Sequence, residues 1–412
     1  MKNLVLTCMM LAGVASAMAA DLLVAEGGAG GAYATITDAI TAATSGDRIL
    51  ITPKSGGGAY SENLTITNKS LQLLSATDGQ YWKLTGSITF NPTTAGQSLS
   101  VISGHITSGN IVSSINAPAG ARAKVQVLGC KLTSGFINFN FNNYDVNVAG
   151  DSLLAGYVNL RYGKVLGSYI ATGSIYAHSI YVFTDSNPTD DVVSIIGNKI
   201  SCTTNTAGVY GIYWSSSSFF YHIYNNYIDA NAASSQNCIH VDNSKSSSVN
   251  SNRIMNNTLR EHINSYAIYI SSLGSPTWVM NNAVENDGAG NFGIAASASS
   301  VNMIVGWNYV ETSNTPYVNI TNDGTNFSGV AMTIDTNTGE LLTGTGIDGG
   351  SPDLQYSDLD LSRNDAGCFG GSLSRENFLS ATTGSTQVTL FNAPGRVLNG
   401  QSINITGEGF DK

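Results

Sequence analysis

The chain has 412 residues, with 45 Gly and only 18 Lys+Arg and 28 Asp+Glu. Charged residues are therefore 11%, against about 25% in an ordinary soluble domain. The net charge of −10 excludes the basic face that nucleic-acid binding needs, and 42% apolar residues exclude simple disorder.

Residues 1–20 read as a secretory signal: Lys2 is the positive start, residues 4–14 are mostly apolar, and Ala17-Met18-Ala19 places small residues at the two cleavage-determining positions. The alternative is a buried N-terminal helix. Cys8 lies inside the apolar stretch, not at its end where a lipid-modified cysteine sits. No later run of about 20 apolar residues occurs, so no transmembrane segment is expected and the protein is expected to be secreted, extracellular or at the cell surface. Cys130, Cys202, Cys238 and Cys368 have neither metal-ligand spacing nor the density of a disulfide scaffold. Buried free thiols are the expectation, with a Cys202–Cys238 bridge as the alternative.

Next along the chain, Ile36, Ala39, Ile40 and Ala43 share one face at helical spacing, which predicts a short capping helix. Residues 46–52 begin a series of short strands that continues through 60–67 and 70–74.

From there one pattern recurs: two apolar residues, Gly or Asn, a small polar residue, any residue, an apolar residue. It runs through Val127-Leu-Gly-Cys130-Lys-Leu132, Val148-Ala-Gly-Asp151-Ser-Leu153, Val165-Leu-Gly-Ser168-Tyr-Ile170 and Ile195-Ile-Gly-Asn198-Lys-Ile200. It continues through Ile223-Tyr-Asn-Asn226-Tyr-Ile228, Ile254-Met-Asn-Asn257-Thr-Leu259, Val279-Met-Asn-Asn282-Ala-Val284 and, more weakly, Val305-Gly-Trp-Asn308-Tyr-Val310. The fourth position steps by 21, 17, 30, 28, 31, 25 and 26 residues, which suits a coil of fixed core and variable loops.

These features predict an all-β fold, a right-handed single-stranded parallel β-helix of about eleven coils, about 50 Å long at the strand spacing of a sheet. Gly or Asn before the fourth position tolerates a left-handed corner. Asn198, Asn226, Asn257, Asn282 and Asn308 are expected to stack as a buried amide ladder. Proline is scarce, 8 in all, because internal strands need their N–H groups. A second row, Ile180, Ile212, Ile239, Ile268 and Ile294, is placed inside by period-two alternation, which puts Tyr181, Tyr213, His240, Tyr269 and Ala295 outside. The expected organisation is signal 1–20, N-terminal cap and first strands 21–60, β-helix 61–350, and C-terminal cap and extra strands 351–412.

Ala34-Thr-Ile-Thr-Asp-Ala-Ile40, Gly46-Asp-Arg-Ile-Leu-Ile51, the Asn repeats, and Tyr356-Ser-Asp-Leu-Asp-Leu-Ser-Arg-Asn-Asp-Ala-Gly-Cys-Phe-Gly-Gly371 together resemble the pectin-lyase-like β-helix superfamily over most of residues 30–371. The last segment is similar to a closing motif of many bacterial members of unassigned activity. The resemblance is specific for fold and weak for activity, since members include polysaccharide lyases, polygalacturonases, phage tailspikes and non-catalytic surface proteins.

For a lyase, a basic side chain must take the sugar's C5 proton while a cation, often calcium, neutralises the neighbouring carboxylate. Asp229, Arg260, Glu285 and Glu311 are expected at equivalent outward positions on four coils, with Arg260 as catalytic base or clamp and Glu285 with Glu311 as calcium ligands. The competing reading is a surface charge row in which Arg260 bridges two acids; Glu261 and His262 sit beside it. A hydrolase reading is poorer: Asp185, Asp190 and Asp191 cluster, but Gly104-His105 and Arg122-Ala-Lys124 precede them, in the wrong order. The outward Tyr181, Tyr213, His240 and Tyr269, flanked by Asp242, suit stacking on a polysaccharide or cell-surface glycan, or ordinary cross-strand packing. Asp358, Asp360 and Asp365 alternate as in the first half of a calcium loop, without its closing Glu; a hydrogen-bonded turn with Arg363 paired to an aspartate competes. Sequons such as those at Asn63 and Asn404 are expected by chance in so Asn-rich a chain. In the tail, residues 387–391 and 402–406 alternate as one or two extra strands expected to pack on the last coils. The leading expectation is a secreted β-helix that contacts glycan without catalysis and requires no cofactor beyond, at most, calcium. A calcium-assisted polysaccharide lyase and a self-associating structural rod are the alternatives.

Overall fold

The computed structural model describes residues 19–172, 178–202, 208–230, 237–261, 265–271, 276–286, 292–297, 303–311, 315–321, 323–378, 387–392 and 406–410. The expected signal lies outside these apart from Ala19 and Ala20, as do His262, the sequon at Asn404 and most of the expected strand at 402–406.

The chain winds into a right-handed β-solenoid of about 10 turns. Each turn lays one short strand on each of three parallel sheets, visited in the order I, II, III. Sheet I holds 12 strands from Asp21–Val24 to Met303–Gly306, sheet II 12 from Tyr60–Ser61 to Phe327–Ser328, and sheet III 11 from Leu64–Thr67 to Thr315–Val318. The interior is a set of apolar columns. Ile180, Ile212, Ile239, Ile268 and Ile294 are in register and wholly buried. Tyr317 ends this column, and its hydroxyl donates to the carbonyls of Asn308 (3.1 Å) and Phe327 (2.9 Å). A helix, Ile36–Ala42, covers the first turn with Ile36, Ala39 and Ile40 buried, and the Thr35 hydroxyl caps it by accepting from the Asp38 N–H.

The corner between sheets I and II is the expected one. Gly129, Gly150, Gly167, Gly197, Asn225, Asn256, Asn281 and Trp307 stand there one turn apart, all with φ between 53° and 70°. The next residue of each turn forms the ladder. The Oδ1 of Asn226 accepts the backbone N–H (3.1 Å) and the amide (2.9 Å) of Asn198. Asn257 serves Asn226 in the same way, Asn282 serves Asn257, and Asn308 serves Asn282. Asn326 adds a rung outside the recurring pattern, because the apolar flanks are absent.

Cys130, Cys202, Cys238 and Cys368 are buried free thiols. After the last coil the chain turns onto the outside of the stack at 332–343. The hairpin Thr333–Ile334 with Leu341–Thr343 packs Met332, Ile334 and Leu341 on Tyr227, Ala283 and Tyr309 of sheet II. The strap at 344–378 then runs back along the ladder corner. Asn225 donates to the Cys368 and Gly370 carbonyls, Asn256 donates to Asn364 and Asp365, and Thr258 accepts from the Cys368 N–H. The strap ends with Phe378 against Leu166 and Ile196. The tail strands are Gln387–Asn392 and Thr406–Phe410, antiparallel to each other in a two-stranded sheet of their own. No helix among the described residues is long and apolar enough to cross a membrane.

Candidate functional site

The outward face of sheet III carries the densest cluster of chemistry. Pairing of its strands sets Tyr181, Tyr213, His240 and Tyr269 directly beside one another on successive turns, with Ala295 next. Ring centroids are 4.7 Å apart for Tyr181–Tyr213, 5.4 Å for Tyr213–His240 and 5.1 Å for His240–Tyr269. A second column stands three residues earlier on each turn: His178, Tyr210, Asn237, Tyr266 and Phe292. His178 stacks on Tyr210 and Tyr210 on His240, while Tyr266 stacks on Phe292. The sequence signal for this column was an aromatic or polar residue spaced by three from each outward ring, as in His178/Tyr181, Tyr210/Tyr213 and Tyr266/Tyr269.

Asp242 organises the centre. Its Oδ1 accepts from His240 Nε2 at 2.8 Å and from the Ser271 hydroxyl at 3.3 Å, and its Oδ2 accepts from the Tyr213 hydroxyl. Burial pushes the Asp242 pKa up, but the Tyr213 and His240 donors outweigh it and hold the carboxyl below its usual range. Burial and then Asp242 push the Tyr213 phenol far up, so it stays protonated. The Asn237 amide donates to His240 Nδ1 at 2.8 Å, which makes that nitrogen the acceptor and Nε2 the protonated one. His178 Nδ1 likewise accepts the Tyr210 N–H at 3.0 Å; burial, then the neighbouring His240, bring its pKa down to about 4. Both ring nitrogens of His240 are engaged, so the arrangement presents polar rims and ring edges.

The Arg260 row assembles in the expected register, Asp229 opposite Arg260 and Arg260 opposite Glu285. Arg260 bridges the two acids: Nη1 is 3.5 Å from Asp229 Oδ2, and Nε donates to Glu285 Oε2. Glu311 follows Val310, which pairs with Val284, so it continues the row. Among the described residues no second base is paired into this row. Lys199, on the same sheet, gives its ammonium to the carbonyls of Thr336 and Asn337 at 3.3 and 2.9 Å.

Asp358, Asp360 and Asp365 line one open cavity of about 390 Å³ with Glu340, Asp348 and Glu376. Their oxygens serve the turn itself. Asp358 accepts the N–H groups of Asp365 and Gly371, Asp360 accepts the N–H and the hydroxyl of Ser362, and Asp365 accepts the N–H of Asp348. Burial, with Asp365 and Asp360 nearby, raises the Asp358 carboxyl to about 6. Among the described residues no three His, Cys, Asp or Glu side chains are grouped as metal ligands. Arg363, expected to pair with an aspartate, instead donates to the carbonyls of Gly349 and Gly350. Asp185, Asp190 and Asp191 do not act together. Asp185 is buried and caps the Asn187 N–H, Asp190 pairs with Lys245 at 3.5 Å, and Asp191 lies 3.6 Å from Arg122, whose guanidinium sits over the Tyr162 ring.

Comparison with known proteins finds no matching family model, no matching curated protein and no matching solved structure.

Proposed function

We propose that this chain is an exported β-helix protein, akin to the pectin-lyase-like superfamily, that contacts polysaccharide along the outer face of sheet III without cleaving it. The observation that carries the reading is the column of rings Tyr181, Tyr213, His240 and Tyr269 on that face, flanked by a second column broken only at Asn237 and centred on the Tyr213–Asp242–His240 cluster. Aromatic surface with a few placed polar groups is the usual furnishing of a sugar site, and the repeat of one turn every 4.8 Å suits an extended chain ligand. The lyase alternative needs a base beside a carboxylate clamp, and Arg260 is held between Asp229 and Glu285.

The test has two arms. Purified protein is incubated with pectate, alginate and chondroitin in calcium while the ultraviolet absorbance of unsaturated uronates is followed; the expected trace is flat, and an unsaturated product overturns the reading. A glycan array then identifies a ligand, and Tyr213→Ala is expected to weaken its binding at least tenfold, about 1.4 kcal/mol. Unchanged binding removes sheet III as the face.

A further inference from the structure

The arginines of this acidic chain are almost all spoken for. Arg48 pairs with Asp21, Arg122 with Asp191, and Arg260 with Asp229 and Glu285. Arg161, Arg363 and Arg375 donate to backbone carbonyls. Arg253 differs. Its Nε donates to the Ser251 hydroxyl at 3.1 Å, the Tyr224 phenol lies beside its guanidinium, and its charge meets no carboxylate or carbonyl among the described residues.

Arg253 also lines a cavity. Where the strap crosses the outer face of sheet I, a pocket of about 160 Å³ opens between the coils and the strap, walled by Tyr224, Met255, Tyr356 and Leu373. Asn225 and Asn256 reach the same pocket, but their amides are already given to strap groups, so they make a fixed wall. Gln355 gives its amide to Asp353. The charged group of the pocket is therefore one guanidinium, set over the Trp278 ring with phenols around it, on walls that mix Tyr224, Met255, Tyr356 and Leu373 with the polar Asn364, Ser372 and Gln355.

We propose that this pocket is a binding site for a single carboxylate-bearing sugar, a uronic acid residue, with Arg253 holding the carboxylate and the Tyr224, Met255 and Tyr356 walls receiving the ring. A planar fork that lacks a carboxylate partner is matched by a carboxylate in two parallel hydrogen bonds. The pocket is smaller than the roughly 300–1,000 Å³ that encloses a drug-sized ligand, so it takes one residue at a chain end or branch and not a chain segment. It lies on sheet I, away from the ring columns of sheet III, and stands or falls separately from them.

Calorimetric titration of the full chain with D-galacturonate, D-glucuronate, D-galactose, D-glucose and acetate tests it. The expected result is binding of one or both uronates, at least tenfold weaker binding of the neutral hexoses and of acetate, and at least tenfold loss in Arg253→Gln. Arg253→Lys keeps the charge and the packing stem, so it is the companion variant if Arg253→Gln does not fold; a smaller but measurable loss is expected. Tyr213→Ala is expected to leave uronate affinity unchanged. No uronate binding by the wild-type protein, equal binding of uronate and hexose or of uronate and acetate, or unchanged affinity in the folded Arg253 variants each overturns the proposal.

Discussion

At the residue scale, the corner of each turn holds the molecule's polar interior together. Asn226 is wholly buried, yet every hydrogen-bonding group of its amide is used: Oδ1 takes two donors from Asn198, and Nδ2 gives to the Ile195 carbonyl and to Asn257 Oδ1. Asn226→Ala leaves the Asn198 backbone N–H buried without this partner and removes the amide bonds to Asn198 Nδ2, the Ile195 carbonyl and Asn257 Oδ1, although Asn257 Oδ1 keeps the N–H of residue 226. With about 1–3 kcal/mol for the orphaned N–H and about 0.5–1.5 kcal/mol for each other bond lost, a loss of about 2–5 kcal/mol is expected in chemical denaturation. Neighbouring rungs share partners, so a double variant with Asn257→Ala should cost less than the sum of the two singles. These residues were legible because one chemical demand, a short amide after a left-handed corner, repeats at every turn. Toward the amino terminus the same corner is built by Cys130, Asp151 and Ser168, which keep the position with different side-chain acceptors: the Asp151 carboxylate takes the Cys130 N–H and the Ser168 hydroxyl takes the Asp151 N–H. Trp307 has φ 58° at the corner where other turns use Gly or Asn, and its ring faces Arg363.

At the element scale, the strap at 344–378 is a long-range feature, joined to coils more than 100 residues earlier in the chain. It fits because the corner residues beneath it are small. Gly167 and Gly197 have positive φ, and a Cβ at either would land on the Phe378 ring. Gly197→Ala is expected to cost about 2–4 kcal/mol, combining left-handed strain of about 1–2 kcal/mol with displacement of Phe378. In combination with Phe378→Ala only the backbone part should remain; equal costs in both backgrounds would show that the ring does not press on this corner. Limited proteolysis should show the strap cut sooner in Gly197→Ala. The resemblance at 356–371 marked this segment as special but not where it docks, because strap contacts such as those to Asn225 and Asn256 join residues with no common local pattern.

At the scale of the whole molecule, burial of titratable groups sets how stability depends on pH. His178 and His222 are held neutral, each with a folded pKa of about 4 against an ordinary 6.5, chiefly by burial. The unfolded chain takes up these protons first as pH falls. Their neutral burial therefore costs nothing above pH 6.5, and stability drops progressively from there to pH 4, by up to about 3 kcal/mol per histidine. Asp358 acts in the opposite sense, since its folded carboxyl takes a proton near pH 6 and the unfolded one near 3.8. Melting temperatures between pH 7 and 4 are expected to fall, and to fall less steeply in His178→Gln/His222→Gln. An equally steep fall in that variant would assign the effect to the carboxylates that hydrogen bonding holds below their usual range, such as Asp47 and Asp242.

The amino-acid sequence by itself determined the solenoid, its repeat, its inner isoleucine column, its amide ladder and the outward register of Tyr181, Tyr213, His240 and Tyr269. All of these follow from one turn stacking on the next, so neighbours in space sit at equivalent places in the repeat and the pattern can be read along the chain. Only the tertiary structure decided which charges meet which. Arg260 lies between two acids, both nitrogens of His240 are engaged, and the strap turns a flat face of sheet I into a pocket around Arg253. Those outcomes depend on loops and a strap that obey no repeat, and on side-chain partners set by packing across the whole stack.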